Sequence, residues 1–178
     1  MAFQNGLNID ILIYMSDIYS YLSQNEIPFE KFEHEPVHTI EDLSKLPQMN
    51  AAITKNLFLR DKSNQFMLVT VEVQKSVDLK KLGEATGKKK LSFASPEELE
   101  RLLGVEPGST TLLGLIHDTQ HAVAVIIDKE LWEQHETIQC HPLMNSASLV
   151  FTKSALEHFF RSTGHLPEIL EIPARKQS

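Results

Sequence analysis

Apolar side chains recur along the chain at two spacings, and the switches between them outline the elements. Over 9–22, Ile11, Met15, Ile18 and Leu22 fall three or four residues apart, with Tyr14 and Tyr21 beside them. That period predicts a helix with one core-facing stripe. Residues 27–34 read as a first strand ahead of Pro36, and Thr39 with Asp42 predicts a short helix that Pro47 stops. The runs 55–60 and 66–73 are apolar strands joined by Asp61-Lys62-Ser63-Asn64-Gln65, a polar connector suited to a hairpin. Residues 76–90 read as a short helix or a pair of helical turns, punctuated by Gly83 and Gly87 and ending in Lys88-Lys89-Lys90. Ser95-Pro96-Glu97-Glu98 is the clearest local signal: an N-cap serine, proline at the first helical position and glutamate at the reciprocal capping position. Leu99, Leu102 and Leu103 give that helix its apolar face, and Gly104 closes it.

Farther on, 110–116 and 121–127 read as two buried strands around the turn His117-Asp118-Thr119-Gln120. Asp128 is placed to cap a helical turn holding Leu131 and Trp132. The stretch 137–151 runs from a short apolar approach through a Cys140-His141-Pro142 corner and a polar cluster of Asn145, Ser146 and Ser148 into Leu149-Val150-Phe151. Pro142 fixes its own φ and biases His141 towards an extended conformation. Such a corner is either a bent loop facing water or a small rigid set of hydrogen-bonding groups. Ser154 and Glu157 predict the start of a last helix that buries Leu156, Phe159 and Phe160 before Gly164, and the final residues from Ala174 read as a frayed tail. Helices and strands thus interleave irregularly, with hairpins expected at 55–73 and 110–127. The expectation is an α/β fold of α+β character, a mixed sheet with helices packed on it, rather than a regular βαβ winding.

With 178 residues and 42% apolar content, the chain is long enough for one well-buried core and short for two. No run reaches the length of a membrane span, and the N-terminus lacks the basic-then-apolar layout of a signal peptide. Cys140 is the single cysteine, so no internal disulfide forms, in keeping with a reducing cytosol. A net charge of −7 argues against broad nonspecific nucleic-acid binding while leaving room for a local basic face. The lysines at 75, 80, 81 and 88–90 outnumber the nearby Asp78 and Glu84, and form either a solvated face or a docking surface for a phosphate backbone.

Strand alternation puts Lys55 on the face of Leu57 and Leu59. It must either snorkel to water or line a cleft, where a phosphate or a developing oxyanion is its natural partner. His34 and His38, and His117 and His121, are spaced like paired metal ligands, but Pro36 breaks the first pair, a turn interrupts the second, and neither has a third ligand. No metal is expected. Cys140 and His141 are adjacent on an extended chain and so point apart, which argues against a nucleophile–base pair and for Cys140 as a small buried apolar residue. Gly104 to Gly108 is turn chemistry rather than a phosphate cradle.

Four stretches in register carry a resemblance: Lys55-Asn56-Leu57-Phe58-Leu59-Arg60-Asp61, Leu91-Ser92-Phe93-Ala94-Ser95-Pro96-Glu97, Gly104-Val105-Glu106-Pro107-Gly108-Ser109 and His141-Pro142-Leu143-Met144-Asn145. Together they resemble the YbaK/ProX family of aminoacyl-tRNA deacylases, related to the editing domain inserted in bacterial prolyl-tRNA synthetases. The free-standing branch to which the chain is most similar clears alanine mischarged onto proline tRNA. The resemblance implies one editing domain over 25–172 with a curved mixed sheet, preceded by a helical extension at 1–24 and followed by a tail at 173–178. It implies a pocket between Lys55 and the His141 segment, with Lys55 catalytic and Asn56, Gly114, His141 and Asn145 binding substrate. It further implies a cytoplasmic enzyme without cofactor whose partner is mischarged tRNA, with prolyl-tRNA synthetase or elongation factor as further partners, and with no role for DNA or a membrane. Leu112, His117 and Cys140 depart from the family's usual residues. Serine or cysteine as the cleared residue, a non-catalytic module binding tRNA or synthetase, and a metallohydrolase are the competing readings.

Overall fold

The computed structural model describes residues 18–36, 42, 46–144 and 146–175. After a helical segment over 18–24, the chain runs β1 (Glu30–Glu33), β2 (Thr54–Arg60), β3 (Phe66–Glu72), α1 (Leu79–Thr86), β4 (Ser92–Phe93), α2 (Pro96–Leu103) and a 3-10 helix (Leu112–His117). It continues through β5 (Val123–Asp128), α3 (Lys129–Gln134), β6 (Thr137–Cys140), β7 (Ala147–Thr152), α4 (Lys153–Thr163) and β8 (Glu168–Leu170). Most of the expected 9–22 helix and, apart from Asp42, the helix start at Thr39 lie outside the described residues.

The strands form two sheets, ordered β4-β2-β3-β5-β8 and β1-β7-β6. β2 and β3 make the expected antiparallel hairpin, with Lys55 opposite Val71. Asp61 shapes its turn by accepting from the backbone of Ser63 (2.8 Å) and Gln65 (3.0 Å), and these bonds hold its carboxyl below the usual range. β5 and β8 then add in parallel, which makes the sheet mixed. The larger sheet is apolar on both faces. Phe58, Leu68, Val125 and Ile127 belong to a core shared with Leu149 and Phe151 of the smaller sheet, Leu99 and Leu103 of α2 and Phe159 of α4. Leu59, Met67, Val69, Val71 and Ile126 face the other way, against Leu82 of α1 and Ile172.

The second expected hairpin is absent: 110–116 is not a strand. A short apolar run does not distinguish a buried strand from a buried helical turn by period, and local chemistry decides here. Thr111 Oγ1 accepts from Leu113 N (3.3 Å) and caps the 3-10 helix. Gly114 lets that helix lie against α2, where an added Cβ would sit 2.8 Å from the Leu103 carbonyl oxygen. β5 consequently pairs with β3 instead of with 110–116. Smaller differences have similar causes. α4 begins two residues early, because Thr152 Oγ1, not Ser154, accepts from Ala155 N (3.2 Å). Asp128 stands at the N-cap of α3 without capping it, since its oxygens go to Lys75 Nζ (2.7 Å) and Ile172 N (3.1 Å). The C-terminal stretch is paired as far as Arg175, whose N–H donates to Ser76 O (2.8 Å).

Ser95 carries the capping box read from the sequence: it accepts from Glu98 N (3.2 Å), and Glu98 accepts from Ser95 N (2.7 Å). Glu98 also pairs with Arg60 at 2.8 Å, so α2 is tied to the end of β2. The described part of the N-terminal helix buries Ile18 and Leu22, and Tyr21 donates to Ser162 Oγ of α4 (3.0 Å).

Candidate active site

The two sheets meet where β2 begins and β6 ends. Ala52 N donates to Thr137 O (3.0 Å) and Gln139 N to Ala52 O (2.9 Å), a short parallel bridge. Thr54 Oγ1 then donates to Gln139 O (2.9 Å). The next residue on one side is Lys55, and two residues on from Gln139 is His141. Both line a cavity of about 420 Å³, together with Asn56, Phe58, Phe93 and Thr110. β4 pairs only with Leu59 and Arg60, so the start of β2 is left as an edge on that side. Lys55 therefore reaches the cavity although alternation sets its Cβ on the Leu57 face.

Among the described residues the Lys55 side chain makes no hydrogen bond or ion pair, and partial burial alone pushes its ammonium pKa down. A half-buried cation without a counterion, on a cavity wall, is a seat for an anion.

His141 supplies a second unsatisfied group. Its ring is enclosed even though the residue as a whole is only partly buried, and desolvation, reinforced by nearby His34, lowers its pKa to about 4 against the opposing hydrogen bond to the Thr110 backbone. The imidazole is thus neutral at ordinary pH. Nδ1 is buried with no hydrogen-bond partner among the described residues. Nδ1 is therefore an unused hydrogen-bonding nitrogen, donor or acceptor according to the tautomer. The backbone around the ring is firmly held. His141 O accepts from Thr111 Oγ1 (2.9 Å) and Leu143 N (3.0 Å), and Leu143 adopts φ 62°, an uncommon conformation for a branched side chain.

The other expected site residues fall differently. Asn56 lines the cavity, but its amide is engaged in structure, accepting from Thr70 Oγ1 (2.7 Å) and donating to Thr110 O (3.2 Å). It positions the Thr110 loop from which His141 is held. Gly114 is buried against Leu103 and is not among the cavity-lining residues. Asn145 lies outside the described residues. Reading the sequence did not single out Thr110, Thr111 or Phe93 as site residues. Thr110 and Thr111 carried no signal beyond polarity, and Phe93 stood only within one family-like stretch, although it is 62% exposed at the cavity rim.

Cys140 is buried, and desolvation pushes its thiol up to about 12, which leaves no thiolate for nucleophilic attack. Of the paired histidines, His34 bonds Ser148 Oγ (2.9 Å), while His121 lies edge-on to His165, itself paired with buried Asp118 at 3.1 Å. Among the described residues no three His, Cys, Asp or Glu side chains gather as a metal site. The arrangement therefore offers an ammonium, a neutral imidazole nitrogen and a rigid polar loop around one hollow. It can bind and orient an acyl compound carrying negative charge without itself forming a covalent bond.

Comparison with known proteins leads to the same chemistry. The family model for the aminoacyl-tRNA editing domain matches residues 34–159. The prolyl-tRNA editing protein ProX of Acetoanaerobium sticklandii is 34% identical over 157 residues, which covers 87% of this chain and 95% of that one. Prolyl-tRNA synthetase associated domain-containing protein 1 of Danio rerio is 33% identical over 158 residues, 88% of this chain and 86% of that one. Among solved structures, a candidate trans-editing enzyme for prolyl-tRNA synthetase superposes with a TM-score of 0.66 over 88% of this chain and 96% of that one. At 19% identity that last likeness speaks to the fold alone.

Proposed function

The chain belongs to the aminoacyl-tRNA editing domain family, and from that membership we propose that it is a trans-editing hydrolase that deacylates mischarged tRNA(Pro), with alanyl-tRNA(Pro) as its substrate. The observation that carries this reading is that Lys55, whose ammonium has no partner among the described residues, and His141, whose buried Nδ1 has none there either, line one cavity. An aminoacyl ester is an activated acyl compound, so hydrolysis needs a well-placed water more than it needs a protein nucleophile. Positioning alone supplies about 7–11 kcal/mol in favourable intramolecular cases.

In this mechanism Lys55 holds the terminal phosphate or ribose end and stabilises the oxyanion as water attacks the carbonyl carbon. His141, on the same cavity wall, orients the attacking water or the substrate's α-ammonium. The ester C–O bond breaks, and the ribose hydroxyl leaves with the proton taken from water. Asn56, Thr110 and Thr111 hold the backbone that carries His141. The inert Cys140 thiol suits a route without an acyl-enzyme. The biological reason is one of size: a synthetase pocket built for proline gains only about 1–3 kcal/mol per extra methylene over alanine. A second, smaller site that admits alanine and excludes the proline ring corrects the error.

The test is a panel of tRNA(Pro) carrying alanine, serine, cysteine or proline. Release of alanine with survival of the prolyl ester is the expected result. Preferred release of serine or cysteine would reassign the cleared residue within the same chemistry. Binding without any ester cleavage would replace the hydrolase by a tRNA-binding module.

A further inference from the structure

Building on the deacylase reading, we propose that Phe93 and the lysines of the neighbouring groove form a track for the tRNA acceptor arm. In this track Phe93 stacks a base of the single-stranded 3′ end at the cavity rim, and Lys80, Lys89 and Lys90 hold stem phosphates behind it. Three observations converge on it. Phe93 is 62% exposed and, of the exposed large apolar side chains among the described residues, it is the one that lines the Lys55 cavity; Leu166 and Ile169 do not. The segment 79–91 holds five lysines against Glu84 alone, in a chain whose net charge is −7. That segment borders its own groove of about 670 Å³, lined by Lys62, Lys80, Lys88, Lys89 and Lys90.

Not every one of these lysines is available. Lys88 donates to Gln65 Oε1, and Lys62 and Lys88 both lie near Asp61. Lys80, Lys89 and Lys90 are exposed and enter no ion pair among the described residues. The backbone fixes them relative to the cavity. Gly87 caps α1 in the left-handed conformation, Lys62 N donates to Lys89 O (3.1 Å), and Ala94 N donates to Phe58 O (3.0 Å) just beyond Phe93. Two residues separate Lys90 from Phe93, at most about 11 Å of chain, so the basic groove opens within a few nucleotides of the rim. A lone exposed aromatic is unremarkable on a surface. One set between a basic groove and a cavity that takes an ester has the make-up of a single-strand site, in which cations follow the backbone and an aromatic ring carries a base.

The test compares two substrates with three proteins. Full aminoacyl-tRNA and an aminoacylated CCA trinucleotide lacking the stem are hydrolysed by wild type, by the triple variant Lys80→Glu/Lys89→Glu/Lys90→Glu, and by Phe93→Ala. Binding of uncharged tRNA is followed by fluorescence anisotropy across salt concentrations. The triple variant is expected to lose about 10- to 100-fold in kcat/KM on full tRNA, to change under threefold on the trinucleotide, and to bind tRNA with a salt slope reduced by about 2 to 3. Phe93→Ala is expected to lose about 5- to 150-fold on both substrates, with Phe93→Trp retaining most activity. An unchanged salt slope, or equal losses of the triple variant on both substrates, overturns the lysine track. Full activity of Phe93→Ala on the trinucleotide overturns the stacking role. Uncharged tRNA reports on the groove without hydrolysis, so wild type that binds with a steep salt slope yet cleaves no ester would defeat the deacylase reading and leave the basic track standing.

Discussion

Replacing Lys55 by alanine removes one ammonium from the cavity wall and should separate catalysis from folding. An ammonium 4 Å from a phosphate or developing oxyanion is worth about 4 kcal/mol at an effective dielectric of 20, and about 1 kcal/mol in bulk water. Lys55 is partly buried and burial already lowers its pKa, so its surroundings lie nearer the first value. At about 1.4 kcal/mol per tenfold in rate, Lys55→Ala should cost on the order of 100- to 1000-fold in kcat/KM. That matches the loss of a single oxyanion donor elsewhere. Stability should move the other way or not at all. The ammonium has no partner among the described residues, so the folded protein carries its desolvation without return, and the melting temperature of Lys55→Ala should equal or exceed that of wild type. Lys55→Arg keeps the charge on a bulkier planar group and should recover only part of the rate. Single-turnover release of labelled alanine from alanyl-tRNA(Pro), beside a thermal melt, measures both. Activity within threefold of wild type in Lys55→Ala would refute the assigned role, and a large drop in melting temperature would show that the lysine serves the fold.

Two further outcomes follow from neighbouring geometry. His141 has a folded pKa of about 4, below its ordinary 6.5. Between those values the unfolded chain binds a proton that the folded protein does not, so stability rises with pH through this window and is lost on acidification, by up to about 3 kcal/mol for this one group. Urea denaturation at pH 4.5 and 7 should show a smaller pH difference for His141→Gln than for wild type; identical differences would mean that the ring is not shut away from water. Gly114→Ala places a Cβ 2.8 Å from the Leu103 carbonyl oxygen, a backbone atom with little room to yield. It should destabilise by about 1–3 kcal/mol, and an unchanged melting temperature would show that the 3-10 helix can shift away from α2.

How much of this was legible in the sequence depended on how local the cause was. The Ser95 box, the left-handed glycines at 87, 104 and 164, and the 55–73 hairpin rest on residues a few positions apart, and each is present. The 110–116 stretch was misread because its period is ambiguous, and the deciding contact, Gly114 against Leu103, joins two separate helices. The choice of Thr152 over Ser154 as cap depends on where β7 ends, which pairing with β6 sets. That Lys55 and His141 share a cavity was reachable through family likeness, because the bond that brings their strands together, Thr54 to Gln139, spans 85 residues. No local pattern marks Phe93 as exposed. Its exposure follows from β4 being a two-residue strand at the sheet edge.

What separates this cavity from an ordinary polar cleft is the contrast between its frame and its two open groups. Asn56 is bonded to Thr70 and Thr110, Thr111 to His141 O and Leu113 N, and His141 O also to Leu143 N. Each of these bonds is individually modest, about 1 kcal/mol net. Together they fix the backbone that carries His141 and the strand edge beside Lys55, and they hold Leu143 in a backbone conformation that a branched residue rarely adopts. Folding alone would gain by satisfying Lys55 Nζ and His141 Nδ1 as well, since an unpaired buried polar group costs about 1–3 kcal/mol. Among the described residues neither has a partner, and both belong to residues that line the hollow with Thr110. A site that must recognise a charged ester and a water, with no nucleophile of its own, needs donors and acceptors that the protein has not already used, held where they cannot relax toward one another. On the proposed function, the stability given up at these two groups is the physical form that preorganisation takes.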